Sequence, residues 1–369
     1  MLVINYNYPQ GKQFYLFLFY GYFVKILFIA SLEVDGLEDI IYSGLNKIPN
    51  VELYEFRNKP SYHNVSDTLS ANLNPIIKPK WIEQRISKRN VLETIDEIDF
   101  NSFDIVVIGS IRKDVVGYIP FILKKAFGRI IFLDGEDDPF IRLLLLRTTI
   151  YFKREKFNSL RSSIAAVNKW NVRSALSEAK YSFQESLSAM ILPQFPKMSN
   201  KIKPLNLSVL PHKVQERQDL DIDVSFVGRI SSQIRVKYIN VLKSIADRNS
   251  LNLYVNTNGL SPDRYQEIML RSKICVSLPG SGYDTFRYWE IPYYSRCLLS
   301  FKVPISIPNN FEDEYSALYF TDKYSLEDKI LYAIKKDNYE DIRKMGKQDF
   351  ERNHTDIQRA RNVINNMEI

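Results

Sequence analysis

From Val24 onward, short apolar runs alternate with segments whose apolar residues recur at helical spacing. KILFIAS, residues 25–31, reads as a first strand. GLEDIIYSGL, residues 36–45, reads as a helix with Leu37, Ile40, Ile41 and Leu45 on one face. VELYEF, residues 51–56, gives a second strand. Residues 57–80 carry Pro60, Pro75 and Pro79 among polar residues and read as a long loop. A helix is predicted over Ile82–Ile98, followed by the strand FDIVVIGS, residues 103–110. Its continuous apolar run suits a parallel sheet covered on both faces. IPFILKKAF then forms a helix, and RIIFLDGEDD a strand that ends in acids. This alternation predicts a doubly wound α/β domain.

Residues 156–190 read as helical, and Pro193, Pro196, Pro204 and Pro211 mark a connecting region with a short strand at Leu205–Leu210. The alternation then resumes. DIDVSFVGR, residues 221–229, is a strand ending in Gly-Arg, with Ser231 and Ser232 before a helix from about Arg235. LNLYVNTN, residues 251–258, is the next strand. SPDRYQEIMLRS is a helix with Ser261 as N-cap and Pro262 as its first residue. Ile274–Leu278 and Cys297–Phe301 are two further strands, with a helix from Phe286 between them. PNNFEDEYSALYFTDKYSLEDKILYAI reads as strand, loop and helix, and an amphipathic helix runs from about His354 to Met367.

A chain of 369 residues is too long for one ordinary core and suggests two domains. With 45% apolar and 25% charged residues it is globular in composition. The 23 Tyr and 22 Phe suit sugar-stacking surfaces or the codon bias of an AT-rich genome. A net charge of +7 favours anionic partners, but it is spread without an Arg/Lys block, so no specific nucleic acid is expected. Cys275 and Cys297 fall inside predicted strands and read as small core residues in a reducing cytoplasm. His63, His212 and His354 are scattered, no zinc spacing exists, and no metal or other cofactor is expected. Phe14–Phe23 is apolar but only about half the roughly 20 residues of a spanning helix, and no small-x-small cleavage site follows. Residues 1–23 therefore read as an accessory extension, with peripheral contact at the inner face of a membrane as the weaker option. No Walker motif, dinucleotide fingerprint or His-Glu-x-x-His is present.

The chemistry concentrates in Lys273–Ser300. Pro279, Gly280, Ser281 and Gly282 break the pattern between a strand and a helix, and Arg287 and Glu290 lie one turn apart on that helix. Free N–H groups at a helix start suit a diphosphate, and a carboxylate a turn further in can accept from two sugar hydroxyls. That outlines a nucleotide-sugar site; the bland alternative is an i, i+3 surface ion pair. Ligands bind at the carboxyl ends of strands in such folds, which selects two loops of the first half. One holds Gly109, Ser110, Arg112 and Lys113. The other holds Asp134 and Gly135, then Glu136, Asp137 and Asp138 as candidate general bases toward an acceptor hydroxyl. The alternative for these acids is a solvated loop in which Asp137 or Asp138 caps a helix at Pro139. Lys153 and Arg154, in YFKRE, either steady phosphates or an anionic acceptor, or belong to an exposed basic stretch opening a helix.

The run Gly-Tyr-Asp-Thr-Phe-Arg-Tyr-Trp-Glu, residues 282–290, resembles the donor-site signature of two-domain glycosyltransferases. A small residue, Ser295, and an apolar strand follow it. The nearest resemblance is to the exostosin-like and spore-maturation-type glycosyltransferases. It implies that Glu290 holds the donor ribose, with Arg287, Asp284 and Thr285 as the matching residues before it. Gly228, Arg229 and Arg235 match a Phe-Xaa-Gly turn followed by an Arg, and the DGEDDP and YFKRE runs are also similar. The resemblance implies two Rossmann-like domains facing each other across a cleft. An acceptor-side domain would span 24–205, a linker 206–220, a donor domain 221–353 and a returning helix 354–369. It further implies sugar transfer from a nucleotide-sugar to a carbohydrate or glycoconjugate acceptor, without metal. Arg229, Arg235 and Arg287 would neutralise the diphosphate, with the N–H groups of Gly280, Ser281 and Gly282. Gly282 stands where many relatives carry a second Glu, and Ser295 replaces a Gly beside Arg296, so the stereochemical outcome stays open. A non-catalytic nucleotide- or sugar-binding protein and a sugar-nucleotide epimerase remain as alternatives; the latter would convert a donor with no acceptor present.

Overall fold

The structure, a computed structural model, describes residues 2–7, 13–18, 23–57, 59, 91–92, 94–126, 128–138, 140–159, 162, 200–214 and 219–367. β1 (Leu2–Asn7) and β2 (Gln13–Leu18) pair antiparallel as a separate two-stranded sheet. β3 (Val24–Ile29), α1 (Gly36–Leu45) and β4 (Val51–Phe56) then begin the first α/β unit. Asp35 caps α1 by accepting the N–H groups of Leu37 and Glu38. The unit continues through β5 (Val91–Leu92), β6 (Ile105–Ile108), α2 (Lys113–Val116), α3 (Ile119–Lys125), β7 (Ile130–Asp134), β8 (Ile150–Lys153) and β9 (Ile202–Pro204). All seven strands are parallel, in the order β5-β4-β3-β6-β7-β8-β9.

The second unit comprises β10 (Ile222–Val227), α4 (Gln233–Asn249), β11 (Leu253–Asn256), α5 (Pro262–Arg271), β12 (Ser272–Ser277), α6 (Phe286–Tyr293) and β13 (Cys297–Phe301). It closes with β14 (Leu318–Phe320), α7 (Lys323–Ile334) and α8 (Asn338–Asn353). Its five parallel strands run β11-β10-β12-β13-β14. Ser261 caps α5 with Pro262 as its first residue, as the sequence predicts. Buried Cys275 and Cys297 carry free thiols within β12 and β13. Among the described residues no helix is long and apolar enough to cross a membrane.

The last helix, α9 (Asp356–Asn365), crosses back and packs mainly on α1 of the first unit. Ser43 donates to Asp356 at 2.6 Å and Lys47 pairs with the same carboxylate. Gly44 permits the close approach, because a Cβ there would lie 2.7 Å from that of Ala360. One buried apolar cluster therefore runs from Phe28, Ile41 and Leu45 through Ala360 and Val363 to Trp289, Phe311 and Phe350. The two sheets share a core and do not merely face each other.

Three sequence expectations change. Leu205–Leu210 is not a strand, although 205–209 are buried; the pairing ends at Pro204. Beyond it, backbone and side-chain groups bond out of the ladder, Leu207 N–H to Asp284 and Ser208 to the His354 carbonyl. The helix over Ile82–Ile98 is not seen in its described part. There Val91–Leu92 pairs with Glu55 and Phe56, and a 3-10 turn covers Ile95–Glu97. Pro139 lies outside the described residues, and 140–142 after it are not helical: Asp138 accepts the Phe140 N–H, and the next helical turn is Leu143–Arg147. Most of the 57–80 loop, residues 82–90, most of the 156–190 helix, Pro193 and Pro196 lie outside the described residues.

Candidate functional site

The carboxyl ends of β10 and β12 open on a cavity of about 680 Å³. Its walls are the turn Gly228–Ser231, the loop Gly280–Gly282, the first half of α6 and the first turn of α5. Asp137 and Arg154 reach it from the first unit, and His212 from the connecting segment.

One side is strongly basic. Arg235 is the third residue of α4, whose N-cap Ser232 accepts its N–H. Its guanidinium donates to the Arg229 carbonyl at 2.6 Å, Ser231 Oγ at 3.0 Å and the Leu278 carbonyl at 3.2 Å. All three are neutral oxygens. Burial, with Arg287 nearby, brings its pKa down to about 10. Arg287 lies over the Phe226 ring at 5.1 Å, and its Nε and Nη1 are buried without a hydrogen-bond partner among the described residues. A buried guanidinium left this way is costly unless an anion arrives. The start of α6 adds to this, since Thr285 makes no side-chain cap and the N–H groups of Phe286 and Arg287 bond to no described residue, while Tyr288 bonds the Thr285 carbonyl. Arg229 is exposed and contributes its carbonyl to Arg235.

The surface ion pair between Arg287 and Glu290 does not form. Glu290 is buried, and Tyr265 donates to its Oε2 at 2.6 Å. Burial raises its pKa, opposed by the Tyr265 bond, Arg287 and His212. His212 is pinned beside it, with Nε2 2.7 Å from the Tyr294 hydroxyl and its backbone bonded to Tyr293.

The loop amides are only partly free. Gly280 N–H is spent on the Gly282 carbonyl at 2.9 Å, while Ser281 is exposed. Asp284 is buried, accepting from Leu207 N–H and from Trp289 Nε1, both at 2.7 Å. It braces the loop against the connecting segment. Thr285 Oγ1 contacts Ser277 Oγ at 3.3 Å.

Glu155, just past β8, accepts the N–H groups of Tyr283 at 2.9 Å and Asp284 at 2.8 Å. A carboxylate of the first unit thus holds the loop of the second. Burial pushes its pKa up to about 7, against the pull of Arg154 and the two amides. Asp137 pairs with Arg154 at the cavity wall. Both carboxylates converge on Gly282, where a Cβ would lie 2.6 Å from an oxygen of each.

The other first-unit candidates do not line the cavity. Asp138 and Lys153 are buried together beneath the loop. Lys153 pairs with Asp134 at 3.0 Å and with Asp138 at 3.4 Å, and Asp138 also pairs with Arg142. These cations keep the Asp138 carboxyl below its ordinary range although burial works the other way. Lys153 ends strand β8 and opens no helix. Glu136 and Arg112 lie 3.9 Å apart beside Glu33; burial raises Glu136 and Arg112 opposes it. Tyr265, His212, Tyr294 and Glu155 escape sequence reasoning. Tyr265 can be placed one turn into a helix whose start Ser261 and Pro262 announce, but its partner Glu290 cannot be read from that.

Two parallel-sheet α/β units facing across a cleft define the GT-B fold of glycosyltransferases. A glycosyltransferase from Rickettsia africae ESF-5 superposes with a TM-score of 0.50 at 11% identity, over 93% of this chain and 97% of that one. HepE from Anabaena, solved with UDP and glucose, gives 0.48 at 11% identity over 93% and 98%. TarM of S. aureus, solved with UDP, gives 0.42 at 10% identity over 72% of this chain, which spans only 55% of TarM. No family model matches the sequence, and no curated protein does.

Two outcomes test the domain contact. Gly282→Ala brings a methyl group onto the Asp137 and Glu155 carboxylates; Glu155 is fixed by two amides, so stability should fall by about 1–3 kcal/mol. Calorimetry showing an unchanged melting temperature would contradict that contact. For Glu155, the folded-state pKa is raised, so its contribution is fully present below about pH 4.5 and is lost as pH rises through about 7. Urea midpoints from pH 4.5 to 8 should therefore fall more steeply for the wild type than for Glu155→Gln. Parallel slopes would show that Glu155 titrates normally.

Proposed function

We propose that this protein is a glycosyltransferase that moves a sugar from a nucleotide-sugar donor to an acceptor hydroxyl. The observation that carries the reading is that Arg235 and Arg287 meet at the cavity, neither in a salt bridge with a carboxylate of the described residues, with Arg287 one turn before buried Glu290. Two guanidiniums and an open helix start suit a leaving diphosphate, and the carboxylate suits a ribose. Charge on the leaving group is then met by side chains, so the reaction proceeds without a metal.

Asp137 is the group we assign as general base, since it alone of the three loop acids lines the cavity. Its pairing with Arg154 holds it against Gly282. The acceptor, a carbohydrate or glycoconjugate, enters from the first unit. The Gly282–Glu290 run favours placing the protein near the exostosin-like and spore-maturation-type enzymes, in glycan biosynthesis on the cytoplasmic side, with peripheral membrane contact for a membrane-borne acceptor.

A thermal-shift screen against UDP, GDP, ADP, CMP and dTDP, with and without EDTA, tests this. A nucleotide at 100 times its dissociation constant stabilises by about 2.7 kcal/mol. One nucleotide should raise the melting temperature regardless of EDTA, and Glu290→Ala should weaken that rise more than it lowers the unliganded melting point. No rise with any nucleotide, or an unchanged affinity in the variant, defeats the assignment.

A further inference from the structure

Glu290 is held from one side only. Its Oε2 accepts the Tyr265 hydroxyl, while Oε1 accepts no hydrogen bond among the described residues and the side chain lines the cavity. Arg287 and His212 also face the carboxylate and Tyr294 lies alongside, but the hydrogen bond comes from Tyr265. The two partners belong to different helices, 25 residues apart in sequence. Tyr265 is rigidly placed: its N–H makes a bond of the first turn of α5, to the Ser261 carbonyl at 2.8 Å, and its ring packs on the shared core. Glu290 by contrast ends in a soft torsion, and a carboxylate with no donor turns freely about it.

One short bond removes that freedom. It commits a lone pair of Oε2 and leaves Oε1 and the second lone pair of Oε2 toward the cavity, a pattern that two adjacent hydroxyl donors satisfy together. We propose that Tyr265 is a positioning residue that aims the Glu290 carboxylate at the 2′- and 3′-hydroxyls of the donor nucleotide. The site then distinguishes ribose from deoxyribose through a side chain that never touches the sugar. This deepens the nucleotide-site reading and rests on it.

The test compares affinities of wild type, Tyr265→Phe, Glu290→Gln and the double variant for the nucleotide chosen by the screen and for its 2′-deoxy and 3′-deoxy counterparts. Wild type should prefer the ribose form. Tyr265→Phe, which keeps the ring, should weaken ribose binding by about tenfold, the scale of one hydrogen bond to a charged group. It should barely change deoxy binding, so the preference collapses. Glu290→Gln should collapse it too, and adding Tyr265→Phe to that background should change nothing more. Equal losses for ribose and deoxyribose forms overturn the inference and leave the nucleotide site standing, with Tyr265 as packing. Selection of dTDP over UDP also overturns it. Wild type binding none of the five nucleotides overturns the site and this inference together.

Discussion

The structure turns on one buried carboxylate. Glu155 leaves the first sheet and takes two backbone N–H groups of the second unit, at Tyr283 and Asp284. A buried charge is costly unless its hydrogen bonds are made, and these partners exist only when the two units are in register. The same loop then receives Arg154 and Asp137 on its flank and presents Arg287 and Glu290 from the helix that follows. The domain contact and the cavity are therefore one piece of architecture. What aligns the sheets also builds the wall on which a ligand would lie.

Asp284 continues the brace in the other direction. Its two oxygens hold the Leu207 N–H and the Trp289 indole, fixing the connecting segment to α6. Trp289 in turn lies under Arg359 of α9, at 4.5 Å. A chain of contacts thus runs from the first sheet through the loop and the core tryptophan to the last helix. The connecting segment is pinned along it, which explains why residues 205–209 are buried without pairing as a strand.

The alternation of strands and helices was legible because parallel sheets impose it: each strand buried on both faces is a short apolar run. Caps were legible too, since Ser261 and Pro262 act locally. The Gly282–Glu290 stretch was legible because a turn, an Arg and a Glu follow one another in sequence. Lys153 and Asp138 were not, because their burial depends on Asp134 and Arg142 folding onto them. Glu155 and Tyr265 were hidden for a related reason. The partner of each lies 128 or 25 residues away, and no local pattern marks a side chain that will meet a distant amide or carboxylate.

The helix that follows the second unit adds a constraint in time. Ser43 and Asp356 are 313 residues apart, yet they bond, and α1 covers its outer face with α9. During synthesis that face of α1 stays bare until the whole second unit has been made. Domains generally fold as units in order of synthesis, but here the first unit is completed only after the second. Its interval of incomplete burial is as long as the translation of the second unit, and that is when the nascent chain most needs protection from other chains.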